Sequence, residues 1–183
     1  MDLQDFEGQA MYFDEAMPAA VSALIDEASR RYADGMAEPC LRQAYALAPA
    51  NLSVLVAMYR FYYYQHRLRE AFGVAEQVMA VVAPGIGFPE HWRSLCFQHL
   101  ANGLMVSFTR VRFYLLALKG AAYLQLRLGN ITTGVEMLNK VVEFDSNDRL
   151  GARALLQSMG PALLRDRDDA AVQTAGSRPL LSC

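Results

Sequence analysis

Residues that could bind a metal are few in this sequence. Cys96 and His99 are three residues apart, a spacing that places a thiolate and an imidazole on one side of a helix, and both groups are zinc ligands. His66 and His91 could join them only through the fold. A tetrahedral zinc site needs four ligands, and only two are positioned here. Because both follow the apolar stripe that begins at Trp92, we interpret Cys96 and His99 as core residues and predict no metal and no cofactor.

Catalytic motifs are absent from the sequence. The chain has no G-x-S-x-G elbow, no P-loop, no dinucleotide fingerprint and no paired-carboxylate box. The acids Glu7, Asp14 and Glu15 are scattered along the N-terminal stretch. Catalysis needs an acid, a base or a nucleophile in convergent geometry, so we predict that the protein is not an enzyme and name no catalytic residue.

Aromatic and basic residues are concentrated in the stretch "YRFYYYQHRLRE", residues 59–70. Rings that stack on bases and arginines that contact phosphates are typical of single-strand binders, so nucleic acid is one hypothesis. At helical pitch, Tyr59 and Tyr62 continue the apolar stripe of Leu55 and Met58 and are predicted to be core, while Phe61 is predicted to face the second helix of its unit. The residues left to face outward are Arg60, Tyr63, Tyr64 and Arg67.

Composition and charge indicate a globular chain with a local basic region. The 183 residues are 54% apolar and 20% charged, which is enough for one domain with a sizeable core. Residues 1–50 carry nine acids and three bases (−6), residues 51–130 carry three acids and eight bases (+5), and residues 131–183 carry seven acids and six bases (−1). A basic middle in an acidic chain favours a local anionic ligand over bulk nucleic-acid binding.

Cysteine usage and hydropathy predict a soluble cytoplasmic protein. The three cysteines are an odd number and are far apart, which does not suit a disulfide framework. The N-terminal residues are acidic where a signal peptide is basic, and no apolar stretch of about 18 residues occurs. We therefore expect neither secretion nor insertion into a membrane.

Helical spacing dominates the chain, and one pattern recurs. Nothing reads as a strand, whereas apolar residues follow helix faces throughout. The first two copies of the pattern begin at Ala37 and Ala71, 34 residues apart. The three copies are Ala37-x3-Leu41-x2-Ala44, Ala71-x3-Ala75-x2-Val78 and Gly134-x3-Leu138-x2-Val141.

A 34-residue period of paired helices resembles the tetratricopeptide repeat family. The family pattern W-x2-L-G-x2-Y can be laid on three first helices, although its Trp and Gly are absent, and the resemblance covers residues 18–83 and 115–148. It implies an all-α fold, a right-handed superhelical array of antiparallel helix pairs (an α-solenoid). The positions matched to that pattern are Val21, Leu24, Ile25 and Ala28, then Leu55, Met58, Tyr59 and Tyr62, then Leu118, Ala121, Ala122 and Gln125.

The period breaks in the middle of the chain, where residues 84–114 form an irregular insert. The insert is predicted to hold a helix near residues 90–101, a break at "ANG" and a long helix over about residues 105–128. The chain is thus divided into an acidic N-terminal segment (residues 1–17), the helical domain (18–160) and a C-terminal helix and tail (161–183).

In the resembled family, the first helix of each repeat lines a concave groove. Carried onto this sequence, that resemblance implies a wall of bases and tyrosines, which suits an acidic, aromatic peptide. The predicted function is a non-catalytic adaptor or chaperone that binds a partner protein or its own N-terminal segment. The predicted peptide-binding residues are Arg60, Tyr63, Tyr64, Arg67, Lys119, Tyr123 and Arg127.

Two alternatives stay open at this point. One is single-stranded nucleic-acid binding through the same groove, which the charge distribution disfavours. The other is a structural homodimer formed through exposed apolar residues of the insert, for which Phe88, Trp92, Phe97 and Phe108 are the candidates.

Overall fold

The computed structural model describes residues 17–159, and all regular structure in that range is helical. The all-α prediction is confirmed for this part of the chain. A 3-10 turn at Trp92–Ser94 precedes α5, and residues 152–159 are again helical. The long helices are α1 (Ala19–Arg30), α2 (Ala37–Leu47), α3 (Leu52–Tyr64), α4 (Leu68–Gly85), α5 (Phe97–Val106), α6 (Phe108–Arg127) and α7 (Ile131–Phe144).

Several helix ends follow from local chemistry. The Asn51 side chain accepts a hydrogen bond from the Val54 backbone amide at 3.2 Å and caps the start of α3. The Ser107 hydroxyl accepts one from the Arg110 backbone amide at 3.2 Å and caps the start of α6. After α6, Gly129 has a φ of 86°, a left-handed conformation that glycine adopts without steric cost. The chain therefore turns directly into α7.

Consecutive helices pack as pairs around a common core. The most extensive contacts join α1 to α2, α3 to α4 and α6 to α7. Helix α4 also packs extensively on α6, so the insert does not interrupt the core between the second and third pairs. Helix α5 contacts mainly α6 and lies outside this arrangement.

The recurring sequence pattern marks the buried face of the second helix in each pair. Ala37 and Ala71 are 1% and 0% exposed, and Gly134 occupies the same position in α7. All the other pattern positions of these helices are buried as well. Small residues recur here because two helix backbones approach closely at this point.

Corresponding ends of successive pairs are in contact. Gln65 Nε2 donates to Tyr32 Oη at 3.2 Å, across 33 residues, which joins the ends of the first helices. Arg67 Nη1 donates to Glu38 Oε2 at 2.6 Å, across 29 residues, which joins the starts of the second helices.

The predicted insert helix near residues 90–101 is wrong. Residues 92–94 form only the 3-10 turn, and the true helix, α5, runs through "ANG" to Val106. The Cys96 side chain and His99 form a capping box that starts α5 at Phe97. Position 103 of this helix has no room for a side chain, because Phe88 packs against its backbone. An added Cβ at Gly103 would lie 2.7 Å from Phe88 Cε1.

The apolar residues of the insert are only partly exposed. Phe88 is buried and packs edge-to-face on Tyr114 with ring centroids 4.9 Å apart, so its predicted exposure is wrong. The positive φ of Gly87 turns the chain back toward the core at this point. Trp92 is half-buried, whereas Phe97 and Phe108 are exposed.

Among residues 17–159, none of the helices combines the length and apolar character needed to cross a bilayer.

Candidate functional site

An open cleft lies between the first helices of the first two pairs, and we call it the α1–α3 cleft. Its volume is about 620 Å³. Helix α2 forms its floor through Ala37 and Leu41. Most of its surface is apolar, and one arginine lies on its wall. The remaining lining residues are Met17, Ile25, Ala28, Ser29, Tyr32, Ser53, Val56, Ala57, Arg60, Phe61 and Tyr64.

The cleft exists because α1 and α3 make few contacts with each other, and one end of it lies where Tyr32 follows α1. Tyr32 packs edge-to-face on Phe61 with centroids 6.0 Å apart and closes that end. The small side chains of Ala28 and Ala57 line the cleft and leave its volume unfilled. Phe61 therefore faces α1, and the prediction that it faces the second helix of its own unit is wrong. Tyr59 and Tyr62 are buried, as predicted.

Arg60 and Tyr64 lie one turn apart on α3 and both line the cleft. Tyr64 is 45% exposed, so a ligand could reach its ring. A guanidinium beside an apolar surface can pair with a carboxylate through two parallel hydrogen bonds. This end of the cleft thus combines an apolar surface, a phenol and a cation.

A second group of predicted residues meets between the end of α3 and α6, where aromatic rings approach each other. The Tyr63 ring is 6.3 Å from the Tyr123 ring and 5.7 Å from the Tyr64 ring, measured between centroids. Arg127 Nη1 donates to Tyr123 Oη at 2.9 Å, and its guanidinium also lies over that ring. Because the neighbouring Tyr64 ring lines the α1–α3 cleft, this group adjoins the cleft. We call Tyr63, Tyr123 and Arg127 the tyrosine patch.

Lys119 does not lie on an open wall. It is only 8% exposed, in the middle of α6, where that helix is surrounded by α4 and α7. An added Cβ at Gly151 would lie 3.7 Å from its Nζ, so its ammonium is directed toward the chain that follows α7. The predicted exposure of Lys119 in the groove is therefore wrong.

Arg67 is engaged in a network between α2 and α4. It donates to Glu38 at 2.6 Å and to Glu70 at 2.8 Å, and its guanidinium lies 4.6 Å from the centroid of the Tyr62 ring. Glu38 also accepts from Arg42 at 3.1 Å. Hydrogen bonding from Arg67 holds the pKa of Glu38 below its usual value. Burial raises the pKa of Tyr62, and the neighbouring Glu38 adds to that effect. Arg67 thus stabilises the helix pairs.

Glu38→Gln is expected to lower the free energy of unfolding by about 1 kcal/mol at pH 7, because it removes the charge that Arg67 binds. The pKa of Glu38 is depressed in the folded state, so its contribution is present above the unfolded pKa and is lost as pH falls through the folded one. Urea unfolding curves of both proteins should therefore converge as the pH is lowered from about 5 to about 3.

The matched control is Glu136→Gln. Glu136 pairs with Arg93 at 2.7 Å, but both side chains are about half exposed (48% and 51%). Solvent screening should hold the effect of this control below about 0.5 kcal/mol at neutral pH. A stability difference between wild type and Glu38→Gln that does not change with pH would contradict the assigned role of Glu38.

Cys96 and His99 do meet, as their spacing predicts, with Sγ and Nδ1 at 3.1 Å. Cys96 is exposed, however, so its interpretation as a buried core thiol is wrong. It lies at the helix start rather than within the apolar stripe. Within residues 17–159 the structure contains no group of three or more His, Cys, Asp or Glu residues arranged to hold a metal.

The predicted peptide-binding residues include none from the α1 side of the cleft. Ile25, Ser29 and Tyr32 follow each other at helical spacing and all line it, which is a signal that the sequence does contain. Their separation from α3 could not be predicted in that way. The predictions of an acidic N-terminal segment and of a C-terminal helix and tail concern residues outside the described range.

Comparison with known proteins identifies one relative of unassigned role. The "Uncharacterized 19.8 kDa protein in nifW 5'region" of Azotobacter chroococcum mcd 1 is 49% identical over 156 residues, which are 85% of this chain and 87% of that protein. No protein-family model matches the chain, and no solved structure matches it. At this identity and coverage, the chain belongs to the same family as the Azotobacter protein.

Proposed function

We propose that this protein is a non-catalytic adaptor or chaperone of tetratricopeptide type, whose α1–α3 cleft binds an acidic, aromatic peptide segment of a partner protein. The observation that carries the proposal is the cleft itself, an open apolar groove with Arg60 and Tyr64 on one wall. Binding surfaces of this kind use aromatic anchors and arginine more than other residue types.

The solenoid arrangement in this proposal is supported by the spacing of contacts between like helices. Tyr32 meets Gln65 across 33 residues, and Gln77 donates to Tyr45 across 32. These separations are close to the 34-residue repeat period. A solenoid presents its first helices side by side on one surface, which would join the cleft to the tyrosine patch.

The chemistry of the cleft selects the class of peptide. A volume of about 620 Å³ can hold two or three large side chains, and its apolar surface favours aromatic ones. Arg60 at the wall favours a carboxylate next to those rings. Beyond Tyr64, the exposed Arg127 extends the basic surface in the direction of α6.

The test is a peptide-display selection on the full chain, followed by fluorescence anisotropy with the selected peptides. The double variant Arg60→Glu with Tyr64→Ala is expected to weaken their binding at least about tenfold, because it reverses the charge and removes the exposed ring. The product of nifW is a further defined probe, since the name of the Azotobacter relative refers to the nifW 5' region.

The control is Arg112→Glu with Phe108→Ala, which makes the same charge reversal and removes another exposed ring outside the cleft. It should bind the selected peptides as wild type does. Equal binding by both double variants would contradict the proposal. Retardation of single-stranded oligonucleotides at low salt, with a steep loss of affinity as salt rises, would instead favour the nucleic-acid alternative.

A homodimer is the second candidate, and the observation that favours it is a set of exposed apolar side chains on α5 and at the start of α6. Phe97 and Phe108 are 61% and 63% exposed, and Met105 is 89% exposed. Light scattering at two protein concentrations distinguishes this role from a monomeric adaptor.

A further inference from the structure

We propose that residues 1–16 of the same chain occupy the α1–α3 cleft and compete there with the external partner. The inference rests on the proposed function, since it assigns the same cleft two alternative occupants. It makes the N-terminal segment an autoinhibitory ligand.

The first argument is where this segment joins the described structure. Met17, directly after it, is itself a lining residue of the cleft. Phe13 is four residues earlier, so its Cα can lie at most about 14 Å from that of Met17. The cleft follows α3 from Ser53 to Tyr64, which is about 16 Å of helix. Tyr12 and Phe13 are therefore tethered within reach of the cleft.

The second argument is charge. Residues 1–16 contain five acids and no base, and the cleft presents Arg60. The other terminus has no such complementarity, because residues 160–183 carry three acids and three bases. That terminus also follows Leu150 and Ala152, which are buried at the opposite end of the core, beside α6.

The third argument is the pattern of apolar residues within the segment. Leu3, Phe6, Ala10 and Phe13 recur at the i, i+3, i+7 and i+10 spacing of one helix face. A segment with one apolar face matches a groove with an apolar surface. The acids, at positions 2, 5, 7, 14 and 15, fall between these apolar positions and can face the rim.

The tether determines the strength of the competition. A ligand joined by a short linker acts at an effective concentration on the order of 1 mM. If the free peptide bound the cleft with a Kd of about 10–100 μM, the tethered segment would occupy the cleft about 90–99% of the time. The affinity of the cleft for an external partner would then fall roughly 10- to 100-fold. An external partner would then need several contacts, for example with the tyrosine patch, to displace it.

The experiment measures binding of a fluorescein-labelled peptide of residues 1–16 to three full-length proteins: wild type, Phe6→Ser with Phe13→Ser, and the control Leu180→Ser with Leu181→Ser. Disabling the resident segment should lower the Kd of the peptide at least about tenfold, while the control should match wild type. Adding Arg60→Glu and Tyr64→Ala to the disabled protein should raise the Kd again at least about tenfold.

Three outcomes would overturn the inference. If the peptide bound wild type and the disabled protein with equal affinity, the resident segment would not be competing for the peptide's binding site. The proposed function would be unaffected. If Arg60→Glu and Tyr64→Ala left the Kd of the peptide unchanged, the segment would bind outside the α1–α3 cleft. A wild-type dimer that becomes monomeric when Phe6 and Phe13 are replaced would assign the segment to a neighbouring molecule. If the proposed function itself fails, adding Arg60→Glu and Tyr64→Ala to the disabled protein leaves its binding of the display-selected peptides unchanged.

Discussion

Leu138→Ala is expected to lower the free energy of unfolding by about 2–5 kcal/mol, the largest effect of any single substitution considered. Leu138 is 0% exposed on α7, where that helix packs on α6. Truncation removes most of its apolar surface and leaves a cavity that the surrounding helices can fill only in part. For a chain of this size, the melting temperature should fall by about 2–4 °C for each kcal/mol.

The matched control is Leu47→Ala, the same chemical change at the end of α2, where the side chain is 58% exposed. It should change stability by less than about 0.5 kcal/mol. Denaturant titration followed by circular dichroism measures both variants. Similar losses for Leu138→Ala and Leu47→Ala would contradict the burial of the α6–α7 contact.

Gly134→Ala is expected to destabilise the fold by about 1–3 kcal/mol, although alanine is the better helix former. An added Cβ would lie 2.6 Å from two carbons of Leu126 and 3.0 Å from the carbonyl oxygen of Ala122. The leucine side chain can move slightly, but the backbone oxygen can move only if α6 shifts. The strain of this crossing should therefore exceed the gain in helix propensity.

Gly73→Ala makes the same change within α4, where an added Cβ would have no neighbour within 4 Å. It should stabilise the protein by about 0.5–1 kcal/mol through helix propensity alone. The pair thus separates the two effects, and the expected difference between the variants is roughly 1.5–4 kcal/mol. A stabilising Gly134→Ala would show that α6 and α7 are not held this close.

Much of the helical architecture could be predicted from local pattern. Leu55, Met58, Tyr59 and Tyr62 were assigned to the core from helical spacing alone, and all are buried. Side chains three and four residues apart lie on the same helix face, so one sequence suffices to find such a stripe. The insert was harder, because α5 begins at the capping interaction of Cys96, which depends on side-chain geometry rather than on periodicity.

The candidate site was predicted less completely. Arg60 and Tyr64 lie on the α1–α3 cleft, yet Lys119, from the corresponding helix of another unit, is buried. Helix α6 is enclosed by two neighbours, whereas α3 has an open side toward α1. Position within a repeat indicates which side of a helix faces the groove, but not whether a neighbouring element covers it.

By itself, therefore, the sequence determined the helical class, the small residues where helices cross and the uneven charge. Residues 1–16 are acidic, and residues 51–130 are basic. Only the tertiary structure decided that α1 and α3 separate into a cleft, that Phe61 closes one end of it with Tyr32, and that Arg67 is bound by Glu38. The physical reason is that periodicity is a property of neighbouring residues, whereas the gap between two helices depends on every side chain packed between and around them.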